Sequence, residues 1–262
     1  MQAVILAAGQ GIRLRPMTEH RPKCLVEVRG KPLLQYPLEA LSAAGIRECV
    51  VVVGFCASQV RAYFGRHFRH LSITYVENEI YDRTNNLYSL WLARHEVRED
   101  LLLLEGDLIF EPGLLTDLLE MRCDNAAVVD RFQPFMNGTV ILARGDTVDA
   151  MVLKRNQSAG FDYRRALKTV NIYKFCHRAA LELMSTLDEY VTDGLTDHYY
   201  EMAISEAIAG GAIRLNILRT GRHAWAEVDT PEDLADAESM RFRQTAAPSR
   251  RSEIIAVQPT GY

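Results

Sequence analysis

Two hydrophobic rhythms succeed each other along the chain. Gln2 to Ala7 is a short apolar run that ends in a glycine-bearing turn, which predicts a buried strand feeding a loop. In residues 32–44, Leu34, Leu38 and Leu41 recur at helical spacing and Gly45 follows, which predicts a helix closed by a C-terminal glycine. Residues 49–53 read as a second strand, 57–68 as a helix and 71–76 as a third strand. In residues 86–94 Leu87, Leu90 and Trp91 share a helical face, and 101–104 is a fourth strand running into Glu105-Gly106-Asp107. This alternation predicts an α/β fold on a doubly wound, mostly parallel sheet with helices on both faces.

After Pro112 the rhythm changes. Residues 126–130, 139–142, 150–153 and 169–175 read as strands between short polar turns. Helices are expected at 178–187 and 196–209, a strand at 213–218, and a last helix from Pro231 to about residue 243. Residues 246–262 lose periodicity and turn to Pro, Ser, Arg, Thr and Gly, so they read as a mobile tail or a linker into a further domain.

Composition narrows the function classes. At 262 residues and 48% hydrophobic content the chain fits one large α/β domain, or a core with a small appendage. A formal charge of −4 supplies no bulk field for nucleic acid or an anionic membrane, so anionic ligands must be gripped by local basic groups. Cys24, Cys49, Cys56, Cys123 and Cys176 are scattered without metal-ligand spacing, which predicts a reduced, cytoplasmic protein. The N-terminal apolar run is too short for a signal peptide or a membrane span. The histidines show no zinc-binding spacing, no Ser-His-Asp or Cys-His arrangement can be argued, and no Walker lysine follows a glycine loop.

The chemistry-bearing residues lie after the first and fourth strands. Glycines in Ala7-Ala8-Gly9-Gln10-Gly11 let backbone N–H groups approach a polyphosphate, and Arg13 and Arg15 add charge. Two glycines alone fit a plain tight turn equally well. A carboxylate at the carboxyl end of a strand, such as Asp107, faces the ligand side of an open sheet. Asp229, just before the helix opened by Pro231, reads by itself as an N-terminal cap.

The longer string LAAGQGIRLRPMTEHRPKCLVEVRGKPLL, residues 6–34, resembles the signature of the sugar and choline-phosphate nucleotidyltransferases, with Lys23 twelve residues past Gly11. The resemblance implies a Rossmann-like nucleotidyltransferase fold with a small acceptor-binding subdomain. The nucleotide half would span about residues 1–111 and the acceptor half about 112–243, with 244–262 a flexible tail or linker. It implies that Leu6, Ala7, Ala8, Gly9 and Gly11 hold the nucleotide and that Arg13 and Lys23 act catalytically on its phosphates. It also implies that Asp107 and Asp229 ligate Mg²⁺, with Glu227 close by. A metal held by paired carboxylates stabilises the charge that grows when one phosphate attacks another, and the acceptor oxyanion needs no general base.

Past the signature, Asn85-Asn86-Leu87-Tyr88-Ser89-Leu90 is similar to bacterial choline-phosphate cytidylyltransferases and to cytidylyltransferases of phosphonate pathways, and the stretch 168–175 resembles the phosphonate group. That implies CTP as donor, with Asn85 and Asn86 near the nucleotide, and a small phosphate or phosphonate acceptor. Asn85 also fits a plain helix cap. Lys154, Lys168, Tyr200 and Glu201 are the acceptor-side candidates, the last two as an aromatic and acidic pair for an amine head group. A homodimer and a fused or associated pathway enzyme are both compatible with this reading. A sugar-1-phosphate nucleotidyltransferase using UTP or dTTP, and a non-catalytic nucleotide-binding relative, remain the alternatives.

Overall fold

All six residues of the first strand, β1 (Gln2–Ala7), are buried, as a strand covered on both faces requires. In the computed structural model, which describes residues 1–242, the glycine loop follows β1 and leads into a small hairpin, β2 (Glu27–Val28) and β3 (Lys31–Pro32). Helix α1 (Gln35–Ala43), strand β4 (Glu48–Val53), helix α2 (Ala57–Phe64) and strands β5 (His67–Phe68) and β6 (Leu71–Glu77) come next. Helix α3 (Asn86–Leu92) and strand β7 (Leu101–Glu105) complete this half. Its main strands are mutually parallel in the order β6-β4-β1-β7. The lateral order reverses between β1 and β7, so the loops leaving their carboxyl ends diverge and open a crevice.

Side-chain alternation fixes the layers. Ala3, Ile5 and Ala7 of β1 pack on one face with Leu38 and Leu41 of α1 and Val60 of α2; Val4 and Leu6 pack on the other with Leu87 and Leu90 of α3. Helices therefore cover both faces of the sheet.

The second half begins with β8 (Leu108–Phe110), α4 (Pro112–Glu120), β9 (Ala126–Arg131), β10 (Val140–Arg144), β11 (Thr147–Val152) and β12 (Ala166–Phe175). Helices α5 (His177–Thr192) and α6 (Glu201–Ala209) follow, then β13 (Asn216–Arg219), β14 (Trp225–Glu227) and α7 (Pro231–Ser239). Strand β12, buried along its whole length, runs antiparallel between β7 and β9 and extends the sheet to ten strands. The sheet is thus mixed, and the expectation of a mostly parallel sheet holds only for the first half. Tight β10–β11 pairing is antiparallel, because parallel neighbours need a long crossover.

Local differences have local causes. The helix expected at 32–44 begins at Gln35, since Pro32 pairs with Glu27 in the small hairpin. The helix expected at 57–68 stops at Phe64, where Gly65 takes φ 65, and His67–Phe68 turns back against β6 instead. The helix expected at 196–209 begins at Glu201, because the preceding turn is held by Asn85 N–H donating to Thr196 O and Leu87 N–H to His198 O. Helix α4 and the β8–β14 pair were not foreseen, and the last helix ends at Ser239. The tail expected at 244–262 lies outside the described residues. Among the described residues no helix is long and apolar enough to cross a membrane.

Candidate active site

A cleft of about 420 Å³ opens at the carboxyl ends of β1 and β7, lined by the glycine loop on one side and by Asn85, Asn86, Glu105 and Tyr199 on the other. The size suits a small-molecule ligand. Leu6, Ala7 and Ala8 lie in its buried wall, and Gly9 is exposed at its mouth. Gly11 takes φ 66, and a β-carbon there would come within 2.8 Å of Lys23 Cβ, so the glycine serves both the turn and the lysine. Thr18 Oγ1 ties the loop down by donating to Gly11 O at 2.7 Å.

Lys23 sits on a short 3-10 turn, Lys23–Leu25, and is buried. Its ammonium donates to Asp107 Oδ2 at 2.5 Å and to Asp229 Oδ1 at 2.6 Å. Burial alone would lower its pKa, but the two carboxylates overrule that and raise it. Arg13, largely exposed, reaches Asp229 Oδ1 at 2.8 Å. For Asp229, burial pushes the pKa up, and the opposing pull of Lys23 and Arg13 wins, leaving it below the usual carboxylate range.

Backbone pairing explains how residues so distant in sequence meet. Strands β8 and β14 align Leu108 with Glu227, and Val228 N–H donates to Asp107 O at 3.1 Å. Thr230 caps α7, its hydroxyl accepting from Asp233 N–H in a reciprocal capping box. Because Thr230 fills that role, the Asp229 carboxylate is free to face Lys23, and the capping reading of Asp229 is corrected.

The donor set fits a divalent ion of the magnesium type. Asp107 Oδ1 is buried without a hydrogen-bond partner beside the Lys23 contact, so the site keeps an unused anionic acceptor. Among the described residues no group of three or more His, Cys, Asp or Glu forms a metal cage. Two carboxylates are the usual protein share for Mg²⁺, with phosphate oxygens and water supplying the rest.

The remaining expected residues fall in two places. Asn85 caps α3, its Oδ1 accepting from Asn86 N–H at 2.9 Å, while also lining the cleft. Asn86 is a bracket: its Nδ2 donates to Glu105 Oε1 and its Oδ1 accepts from Tyr200 N–H, both at 3.0 Å. Tyr200 is fully buried, packed edge-on against Tyr173; Tyr199, 53% exposed, is the ring that lines the cleft. Glu201 is buried and accepts from Thr139 Oγ1 at 3.3 Å. Lys168 is buried on β12 and pairs with Glu227 Oε2 at 3.3 Å. Lys154 is exposed, with its ammonium 5.9 Å from the Tyr163 ring centre.

Sequence reasoning passed over Glu105, Gly54 and Gly106. A β-carbon at Gly54 would meet Ala8 O at 2.8 Å, and one at Gly106 would meet Ala7 Cβ at 2.8 Å. These glycines let the loops after β4 and β7 close on the glycine loop after β1, and their position directly after predicted strands was the available signal. The buried Glu201 and the half-buried Glu105 and Glu227 form an acidic group. Burial, then mutual repulsion and that of Asp107, raise Glu105 well above the ordinary range; burial, partly offset by Lys168, raises the other two.

Residues 3–188 match the MobA-like NTP transferase domain. The whole chain aligns at 35% identity with the CMP-5'-(3-aminopropyl)phosphonate synthase of Streptomyces rubellomurinus, covering 41% of that protein. Half of the chain aligns at 34% identity with the CTP:phosphoglutamine cytidylyltransferase of Campylobacter jejuni, covering 53% of it. The chain thus spans about half the length, or less, of these relatives. The solved CTP:phosphocholine cytidylyltransferase of Streptococcus pneumoniae shares the fold at TM-score 0.72 and 23% identity, over 90% of this chain and 97% of that one.

Proposed function

The chain belongs to the MobA-like NTP transferase domain family, and we propose that it transfers CMP from CTP to a small phosphonate or phosphate acceptor with release of pyrophosphate. One observation carries the transferase reading: Lys23 and Arg13 meet Asp107 and Asp229 at the carboxyl ends of the central parallel strands, beside a glycine loop. The choice of CTP rests on kinship with the two cytidylyl-handling relatives above.

In this reading the backbone of residues 8–11 receives the triphosphate, and Arg13 with Lys23 neutralises its oxygens. Asp107 and Asp229 would hold Mg²⁺, which when bound supplies electrostatic stabilisation of the charge growing at the α-phosphorus. The acceptor oxyanion attacks that phosphorus, the bond to the bridging oxygen of pyrophosphate breaks, and no side chain need take a proton. The residues' work is alignment and charge. On the acceptor side we assign Lys168, buried beside Glu227, to attract the phosphonate or phosphate. Glu105 and the Tyr199 ring, both lining the cleft, suit an amine head group by charge pairing and cation–π contact, with Tyr200 and Glu201 buried.

A pyrophosphate-release assay with each NTP tests this against 2-aminoethylphosphonate, 3-aminopropylphosphonate, phosphocholine, 2-hydroxyethylphosphonate and sugar 1-phosphates. Turnover should require CTP and favour an amine-bearing acceptor. Equal use of the hydroxyl compound would remove the cationic pocket. Turnover only with UTP and a sugar phosphate would favour the second reading, which the 37% identity over 126 residues to a UTP–glucose-1-phosphate uridylyltransferase of Haloferax volcanii keeps open.

A further inference from the structure

A cation belonging to the protein already spans the two carboxylates. Lys23 Nζ contacts Asp107 Oδ2 and Asp229 Oδ1 at 2.5 and 2.6 Å, on the two carboxylates that would hold a divalent ion. The lysine stem is anchored where its Cβ abuts Gly11. Beyond that point the side chain is a flexible methylene chain, so its charged tip can turn while the base stays fixed. Asp107 Oδ1 remains buried and unpartnered, so the ammonium does not exhaust the acceptors of the pair. Arg13 reaches the same Asp229 Oδ1 and adds a second positive charge at the mouth.

Lys23 and Arg13 already share Asp229 Oδ1, and a divalent ion brought to the same two carboxylates would meet the repulsion of both cations in a partly buried site. We infer that Lys23 competes with the divalent ion for Asp107 and Asp229, and yields them only when the triphosphate offers its ammonium new anionic partners. Lys23 thereby acts as a built-in counter-ion that makes nucleotide and metal bind as a unit. By linkage, each raises the affinity of the other by the same factor. Free metal, with no phosphate to receive the displaced ammonium, gains little. The inference rests on the nucleotidyl-transfer reading of the cleft, but not on the identity of the acceptor.

Mn²⁺ binding, followed by electron paramagnetic resonance with no acceptor present and hence no turnover, tests it. Lys23→Met keeps the stem against Gly11 and removes the charge. Without nucleotide, the Met variant should bind Mn²⁺ about tenfold or more tighter than the wild type. With a non-hydrolysable CTP analogue, wild-type affinity for Mn²⁺ should rise steeply, and the rise should shrink in the variant. Equal or weaker binding by the folded variant, with the wild-type nucleotide effect intact, would overturn the competition and leave the proposed function standing. Absence of Mn²⁺ binding to either protein even with the analogue would overturn both. Should the Met variant fail to fold, Lys23→Gln makes the same test: without nucleotide it too should bind Mn²⁺ more tightly than the wild type, and equal or weaker binding would refute the competition.

Discussion

The two halves of the molecule place their polar residues by different means. In the first half the chemistry stands on loops at the ends of parallel strands: Gly9 and Gly11 after β1, and Asp107 after β7. The strands beneath are apolar and regular, so function and stability occupy separate residues. In the second half, polar groups are embedded in the sheet and helices themselves. Lys168 and Thr169 are buried on β12, and Glu201 begins α6 with its carboxylate inside. There the same residue must satisfy packing and hydrogen bonding together, and in the proposed reading the acceptor as well. A loop site can be altered with the scaffold intact, whereas an embedded site couples every change to the core.

That contrast is broken most directly by Asp107→Asn. The variant should fold, because the carboxylate lies on a loop and Lys23 keeps Asp229 as a partner. Its kcat/KM should fall on the order of a thousandfold, as expected when charge stabilisation at a reacting phosphorus is lost. Near-wild-type turnover at saturating Mg²⁺ would show that the loop carboxylate is not part of the reaction.

Gly11→Ala and Gly9→Ala sharpen the same point within one loop. At Gly11 the φ of 66 and the 2.8 Å approach to Lys23 Cβ penalise any side chain. Stability should drop by about 1–2 kcal/mol, with kcat/KM falling about tenfold or more as Lys23 is displaced. At Gly9 a β-carbon meets nothing within 4 Å, so melting should be unchanged. Any loss of activity there measures ligand approach alone. Equal melting temperatures for the two variants would mean that the turn geometry does not constrain Gly11.

In the embedded half, Lys168→Met is the matching experiment. Removing the buried ammonium leaves Glu227 without its ion-pair partner. The acceptor KM should rise about tenfold, the range expected for losing one charged contact, while the KM for CTP stays constant. A parallel rise in both constants would assign Lys168 to general scaffolding of the cleft.

The same division explains what the sequence made legible. Strands β1, β4 and β7 showed as apolar runs because both of their faces are covered, and helices α1 and α3 showed as leucines at helical spacing. Lys23, Asp107 and Asp229 could be brought together on paper only through the resemblance of residues 6–34 to a family signature; no periodicity links residue 23 to residue 229. The β8–β14 pairing that joins them is a three-residue contact without a length or pattern signal of its own. Tyr199 and Tyr200 illustrate the limit most clearly. Adjacent identical residues carry no cue as to which turns inward, and the choice is made by Asn86, which accepts from the Tyr200 N–H and fixes the turn before α6.

The smallest expected effect belongs to Glu201→Gln, and its sign separates a buried structural carboxylate from a ligand-facing one. Burial raises the Glu201 pKa above its ordinary value of 4.5, while Lys168 and the Thr139 hydrogen bond pull the other way without cancelling it. A raised folded-state pKa means that the folded protein keeps a proton that the unfolded chain releases. The associated stability is therefore complete below the unfolded value and is lost as pH climbs through the folded one. Wild-type protein should lose stability over that window above pH 4.5. The variant, whose amide cannot titrate, should lose less of it, by about 1 kcal/mol or under. Thermal melts of both proteins at about pH 5 and about pH 7 measure the difference. Because Glu201 sits behind Tyr199 and the cleft-lining Glu105, its substitution should shift the acceptor KM by no more than about threefold. Parallel melting curves across the pH range, with a larger rise in the KM for an amine acceptor than for a hydroxyl one, would place Glu201 in contact with the ligand and erase the distinction drawn between embedded and loop-borne groups.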